Sequence, residues 1–162
     1  MKMTMSTLSS TSHCNIDFPA SPSWFRAIRQ LVSTTCTQCG FPDRDAGQVA
    51  MAVDEAMSNI FRHGYKGDPT GRIALYLLAE NSPEPKISIT IKDNADQVDI
   101  ELIQSRDLSD VRPGGIGVHL IQTVMDKALW EKRNNGGMIL SMSKSIQKYC
   151  SKSSEESSQI NG

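Results

Sequence analysis

The chain has no long hydrophobic run. Its longest, "IALYLLA" from Ile73 to Ala79, falls far short of the roughly 20 residues a membrane-spanning helix needs. It has no excess charge of either sign: 17 Lys and Arg stand against 18 Asp and Glu, a formal net charge of −1. The electrostatic footprint of a nucleic-acid or anionic-membrane binder is therefore missing, and neither is expected as a direct partner. The opening "MKMTMSTLSSTSH" lacks the apolar core of a secretory signal, so a cytoplasmic protein is expected. Cysteine is sparse as well. Cys36 and Cys39 form a CxxC, yet no second CxxC and no HxxxH completes the four-ligand set of a structural zinc. The pair also ends an amphipathic stretch, where a thioredoxin-like motif would open a helix after a strand. Small buried thiols are the plainer reading. A redox or zinc protein built on this pair stays open as a rival, to be revealed by bound metal or thiol-dependent activity.

What is present is patterned, and 162 residues suit one domain with a sizeable core. Residues 1–13 are polar and read as a flexible N-terminal segment; residues 147–162, ending "SKSSEESSQING", read as a disordered tail; the folded domain is expected over 14–146. "NIDFPAS" reads as a short strand ending at Pro19. "SPSWFRAIRQLVSTTCTQCG" predicts a helix with Ser21 as N-cap, Pro22 at the first position, Gly40 closing it, and an apolar stripe of Trp24, Ile28 and Leu31. A second helix is predicted from near Asp43 to Gly64. "GRIALYLLAE" and "KISITIKD" then alternate as strands do, joined by the turn-rich "NSPEP". The irregular stretch from Asn94 to Gly115 reads as a lid. "GIGVHLIQTVMDK" predicts a third helix with Ile116, Leu120, Ile121 and Val124 on one face, and "ALWEKR" and "GMILSMSKS" a last hairpin turned at "NNGG". Short turns between neighbouring strands point to an α+β, two-layer sandwich: a mixed, mainly antiparallel sheet with helices packed on one face.

Three stretches could carry chemistry. In "VDEAMSNIFRHGY", Glu55, Asn59 and His63 recur at four-residue steps, which stacks them on one side of a helix, while Val53, Met57 and Ile60 mark a separate apolar stripe. Such a second face either meets water or lines a site. In "IKDNAD", Asp93 ends a strand and enters a loop; the bland alternative is a turn-starting Asp. In "RPGGIGVHLI", glycines lead into a helix, where exposed N–H groups and the positive helix end attract phosphate, although Gly114, Gly115 and Gly117 would equally serve a tight turn. The stretch is no Walker loop, since no Gly-Lys-Ser/Thr follows, and no Rossmann fingerprint, since no strand precedes it.

Together and in this order, "DEAMSNIFRHGY", "DNAD" and "GGIGVHLIQTVMD" resemble the ATP-binding fold of gyrase B and the histidine kinases. From about Asn15 to Ser143 the chain resembles the bacterial anti-sigma-factor serine/threonine kinases of that group. The resemblance implies ATP and Mg2+ as cofactors. It makes Asn59 a magnesium ligand, Glu55 the general base toward an attacking hydroxyl, and Arg62 and His63 neighbours of the phosphates. It implies that Asp93 accepts from the adenine amino group beside Ala95, and that Gly115, Ile116 and Gly117 pass over the phosphates. It further implies a homodimer whose partners are a sigma factor and an anti-sigma-factor antagonist protein. The chain departs from the family pattern at Ala95, where glycine is usual, and at Gln97 and Met138. Two alternatives remain: a non-catalytic nucleotide-binding anti-sigma or partner-switching module, and a switch kinase with no sigma factor.

Overall fold

A computed structural model of the chain describes residues 11–100 and 116–146. Residues 1–10, the larger part of the expected lid (101–115, with Gly114 and Gly115), and the expected tail (147–162, with Cys150) lie outside the described residues. The elements are β1 (Thr11–Pro19), α1 (Pro22–Cys39), α2 (Asp43–Asn59) with a π-helical turn (Ile60–Gly64), β2 (Arg72–Glu80), β3 (Lys86–Asp93), α3 (Ile116–Val124), β4 (Lys127–Lys132) and β5 (Met138–Ser145). Strand order is β1-β2-β3-β5-β4, and every described pairing is antiparallel, so the expected parallel admixture does not occur there. β1 begins at Thr11, within the segment read as flexible, because residues 11–13 pair with Leu78, Ala79 and Glu80 of β2.

The period-2 alternation of the strands sorts their side chains. Ile73, Leu75, Leu77, Ile87, Ile89, Ile91, Leu140 and Met142 are buried against the helices. Tyr76, Leu78 and Leu129 stand on the opposite face and are exposed, with the Lys92 ammonium 4.7 Å from the centre of the Tyr76 ring. α2 is the central helix, with Ala46, Val49, Ala50, Ala52, Val53, Ala56 and Met57 all buried between its neighbours. Its many alanines let it lie close to α1, α3 and the sheet at once.

α1 starts at Pro22 as expected, but the Ser21 side chain makes no capping bond; its hydroxyl sits 3.0 Å from that of Ser23. Gly40 ends the helix at φ 105°, a conformation that favours glycine, and its N–H reaches Thr37 O at 3.1 Å. The buried stripe is Phe25, Ile28, Val32, Cys36 and Cys39, not the expected Trp24, Ile28 and Leu31. Trp24 is 46 % exposed, because the Phe25 ring takes the inward position against Phe61, with centroids 6.4 Å apart and edge to face. Cys36 and Cys39 are both buried. Burial, with Cys39 adjacent, pushes the Cys36 thiol up to about 12, and Cys39 donates to Glu80 O at 2.8 Å. Among the described residues no three His, Cys, Asp or Glu side chains cluster as a metal site, and no helix is long and apolar enough to cross a membrane.

Adjacent residues of β3 therefore differ in what their loss costs. Ile89→Ala should lower unfolding free energy by about 2–5 kcal/mol, the range for emptying a core position. Thr90→Ala, on the open face, should change it by less than about 1 kcal/mol. Urea denaturation of both variants checks the assignment; equal losses would mean that the face is wrongly placed.

Candidate functional site

α2 keeps its helical register through Asn59, which places Glu55 and Asn59 one turn apart on the same side. The chain then widens into the π turn, with Tyr65 N–H donating to Ile60 O at 2.8 Å. The expected four-residue ladder thus stops at Asn59, and His63 lies on the π turn rather than one α-helical turn further on. It is exposed, yet it still lines the cleft described next.

That cleft opens between the end of α2, β3, α3 and the β4–β5 hairpin. Ile91, Val98, Ile121, Trp130, Met138 and Leu140 give it largely apolar walls, and Asn59, His63 and Asp93 reach it with polar groups. Such a slot, apolar with a few convergent polar atoms, suits a flat heterocycle. Asp93 is the polar group at its inner end, 4 % exposed. Its Oδ1 accepts from Ala95 N–H at 2.9 Å and from Met138 N–H at 3.3 Å; no hydrogen bond from a described residue reaches Oδ2. Burial raises its carboxyl above the ordinary 3.8; the two N–H groups and the nearby Arg133 charge oppose that rise. Ala95, one of the expected site residues, is buried behind Asp93 and acts there through its backbone N–H.

Asn59 Oδ1 is buried and has no hydrogen-bond partner among the described residues. A buried amide oxygen without a donor costs about 1–3 kcal/mol, so its retention at a cleft wall fits an atom that meets a ligand. Hard amide oxygens are what magnesium takes, usually with retained waters. Glu55 stands one turn back, where Arg62 donates to its Oε1 at 3.3 Å and also to Ser58 O at 3.2 Å. A Cβ on Gly117 would overlap the Glu55 carboxylate, so the first turn of α3 rests directly on it. Glycine is required there for close approach, as the resemblance implied for a different reason. Ile116 is the first residue of α3. Gly115 lies outside the described residues. The structure therefore gathers Asn59, His63 and Asp93 at the cleft and sets the Glu55–Arg62 pair beside it.

Sequence reasoning missed the supports of Asp93. Arg133 donates to Asp93 O and, at 2.5 Å, to Asn94 Oδ1. Gln97 donates to Arg133 O at 2.6 Å, which gives a role to one of the departures from the family pattern. The Tyr65 hydroxyl donates to Arg72 O at 2.7 Å and accepts from Asn94 N–H at 3.0 Å. Only the glycines of "NNGG" signalled any of this. Gly136 and Gly137 do turn the hairpin, at φ 89° and 80°, and a Cβ on Gly137 would overlap Asp93 O.

Residues 18–144 match the family of histidine kinase-like ATPase domains. Serine-protein kinase RsbW of Staphylococcus aureus is 32 % identical over 139 residues, covering 80 % of this chain and 84 % of its own. Serine-protein kinase RsbW of Halalkalibacterium halodurans is 27 % identical over 138 residues, covering 80 % and 81 %. Among solved structures, the RsbU and RsbW domains of a Mycobacterium tuberculosis protein superpose with a TM-score of 0.58 at 16 % identity, over 82 % of this chain and 32 % of that one. This last likeness is one of fold.

Asp93 also makes the site's cost measurable. A carboxyl whose folded pKa lies above its unfolded value weakens the fold when ionised. The penalty is absent below about pH 3.8, grows as the pH rises toward the raised folded value, and is complete above it. Asp93→Asn keeps an oxygen for the two N–H donors and removes the charge. Its melting temperature should exceed that of the wild type at pH 7, and the gap should close as the pH falls toward 4. A variant less stable at pH 7, or a gap independent of pH, would contradict the assignment.

Proposed function

The chain belongs to the histidine kinase-like ATPase domain family, among the anti-sigma-factor serine kinases that RsbW represents, and we propose that it binds Mg-ATP in this cleft and phosphorylates a serine or threonine of an antagonist protein. The same reading makes it a cytoplasmic, homodimeric anti-sigma factor that sequesters a sigma factor. The observation that carries the nucleotide reading is Asn59 Oδ1, buried, without a partner among the described residues and one turn from a carboxylate.

In this reading the apolar walls take the adenine and Asp93 accepts a hydrogen bond from its amino group. Asn59 supplies an oxygen to magnesium, which when bound neutralises charge on the phosphates. His63 and Arg62 stand on the phosphate side. Glu55 takes the proton from the attacking hydroxyl as its oxygen bonds to the γ-phosphorus and the bond to the leaving ADP oxygen breaks. Arg62 holds Glu55 in a defined orientation until then.

That same contact favours the second reading, a nucleotide-binding module without transfer. A carboxylate engaged by Arg62 and packed on Gly117 has a structural job already.

The two readings separate on one pair of variants. Glu55→Gln keeps shape and removes basicity, so Mg-ATP binding should survive while phosphotransfer falls by about a hundred- to ten-thousand-fold. Asn59→Ala should weaken ATP binding in magnesium and leave the melting temperature at or above that of the wild type, since the oxygen lost has no partner among the described residues and costs stability where it stands. Labelled ATP, magnesium and candidate antagonists from the same genome provide the transfer assay, and calorimetry the binding. Normal phosphotransfer by Glu55→Gln would remove Glu55 from the mechanism; no transfer by the wild type to any antagonist, with ATP bound, would favour the binding module.

A further inference from the structure

Gly64 has no conformational reason to be glycine. The positive-φ glycines among the described residues are Gly40, Gly67, Gly136 and Gly137, and Gly64 is not one of them. It closes the π turn with helical neighbours, where glycine is about 1 kcal/mol worse than alanine. Space supplies the reason. A Cβ built on Gly64 would lie 2.8 Å from the Ala95 Cβ, closer than two such carbons approach. Ala95 cannot yield easily: it is 9 % exposed, its methyl is fixed to the backbone, and its N–H is the 2.9 Å donor to Asp93 Oδ1. Gly64 itself lines the cleft.

We propose that Gly64 and Ala95 form a size-matched pair that aims the Asp93 carboxylate at the base, so that the two positions together set the selectivity of the cleft for a purine carrying an amino group. One methyl is accommodated at this contact. On Ala95 it packs into the notch left by Gly64 and holds the N–H against Asp93; on both residues at once it pushes the 93–95 loop away. These are positioning residues, acting through Asp93. The inference rests on the nucleotide reading above and adds to it what orients the base-reading group.

The test compares ATP with inosine triphosphate, which has a carbonyl in place of the amino group, by calorimetry on the full chain in magnesium. If the wild type binds neither, the nucleotide reading itself has failed. Given wild-type binding with a preference for ATP, Gly64→Ala should weaken ATP by about tenfold or more, as expected for losing a hydrogen bond to a charged group, with little change for inosine triphosphate. The preference should therefore collapse toward one. Ala95→Gly removes a methyl without a clash and should retain most of the preference. Gly64→Ala/Ala95→Gly moves the methyl across the contact and should restore the ATP preference to within about threefold of wild type, a difference of less than about 0.7 kcal/mol. Should Gly64→Ala fail to fold, the double variant still decides. A restored preference supports the pairing. A preference near one in the double variant, or equal weakening of both nucleotides in Gly64→Ala, would overturn it.

Discussion

A carboxylate buried at the end of a β-strand must find its solvation within the protein, and much of the architecture around the cleft answers that requirement. Asp93 takes Ala95 N–H from its own loop and Met138 N–H from the start of β5. The second donor is available only because β5 pairs with β3 in the observed register and the hairpin turns tightly before it. Gly137 lets the hairpin backbone approach Asp93 O at a distance no side chain would permit. Arg133 then ties the hairpin to Asp93 O and Asn94, and the Tyr65 hydroxyl ties Asn94 to the end of the π turn. Segments far apart in sequence thus meet at one residue, tied there by hydrogen bonds.

The site is a place where the fold gives up stability. Asn59 leaves an oxygen unbonded by any described residue, and Asp93 is a carboxyl whose ionisation burial opposes. Both sit on the edge of a densely packed region of α2, whose seven buried residues and the isoleucines of β3 supply the surplus. Residues that lower stability where a ligand would raise it are the usual mark of a binding site in a marginally stable protein.

The strand alternation of "KISITIKD" was legible as a half-buried strand because period 2 needs no tertiary information, and Ile87, Ile89 and Ile91 are indeed the inward set. The Glu55–Asn59 spacing was legible for the same reason: helical geometry is local. The family resemblance pointed to Asp93 and Gly117 as well. The rest was hidden in contacts between distant segments. No pattern near Trp24 says that Phe25 will meet Phe61, so Trp24 and Leu31 were read one position short of Phe25 and Val32, while Ile28 was read correctly. The π turn carries no local signal in the sequence; its last residue, Gly64, meets Ala95 of a distant segment. Met138 entered the sequence reading as a side-chain departure, whereas its contribution to Asp93 is a backbone N–H that any residue except proline would provide.

The buried thiol of Cys36 gives α1 a chemical clock. A sulfur whose proton is held up to about 12 and which has no access to solvent is silent toward alkylating reagents in the closed protein. Its reaction therefore requires an opening that exposes the buried face of α1. The rate at which Cys36 is consumed, told apart from Cys14, Cys39 and Cys150 by peptide mapping, therefore counts the openings that expose it.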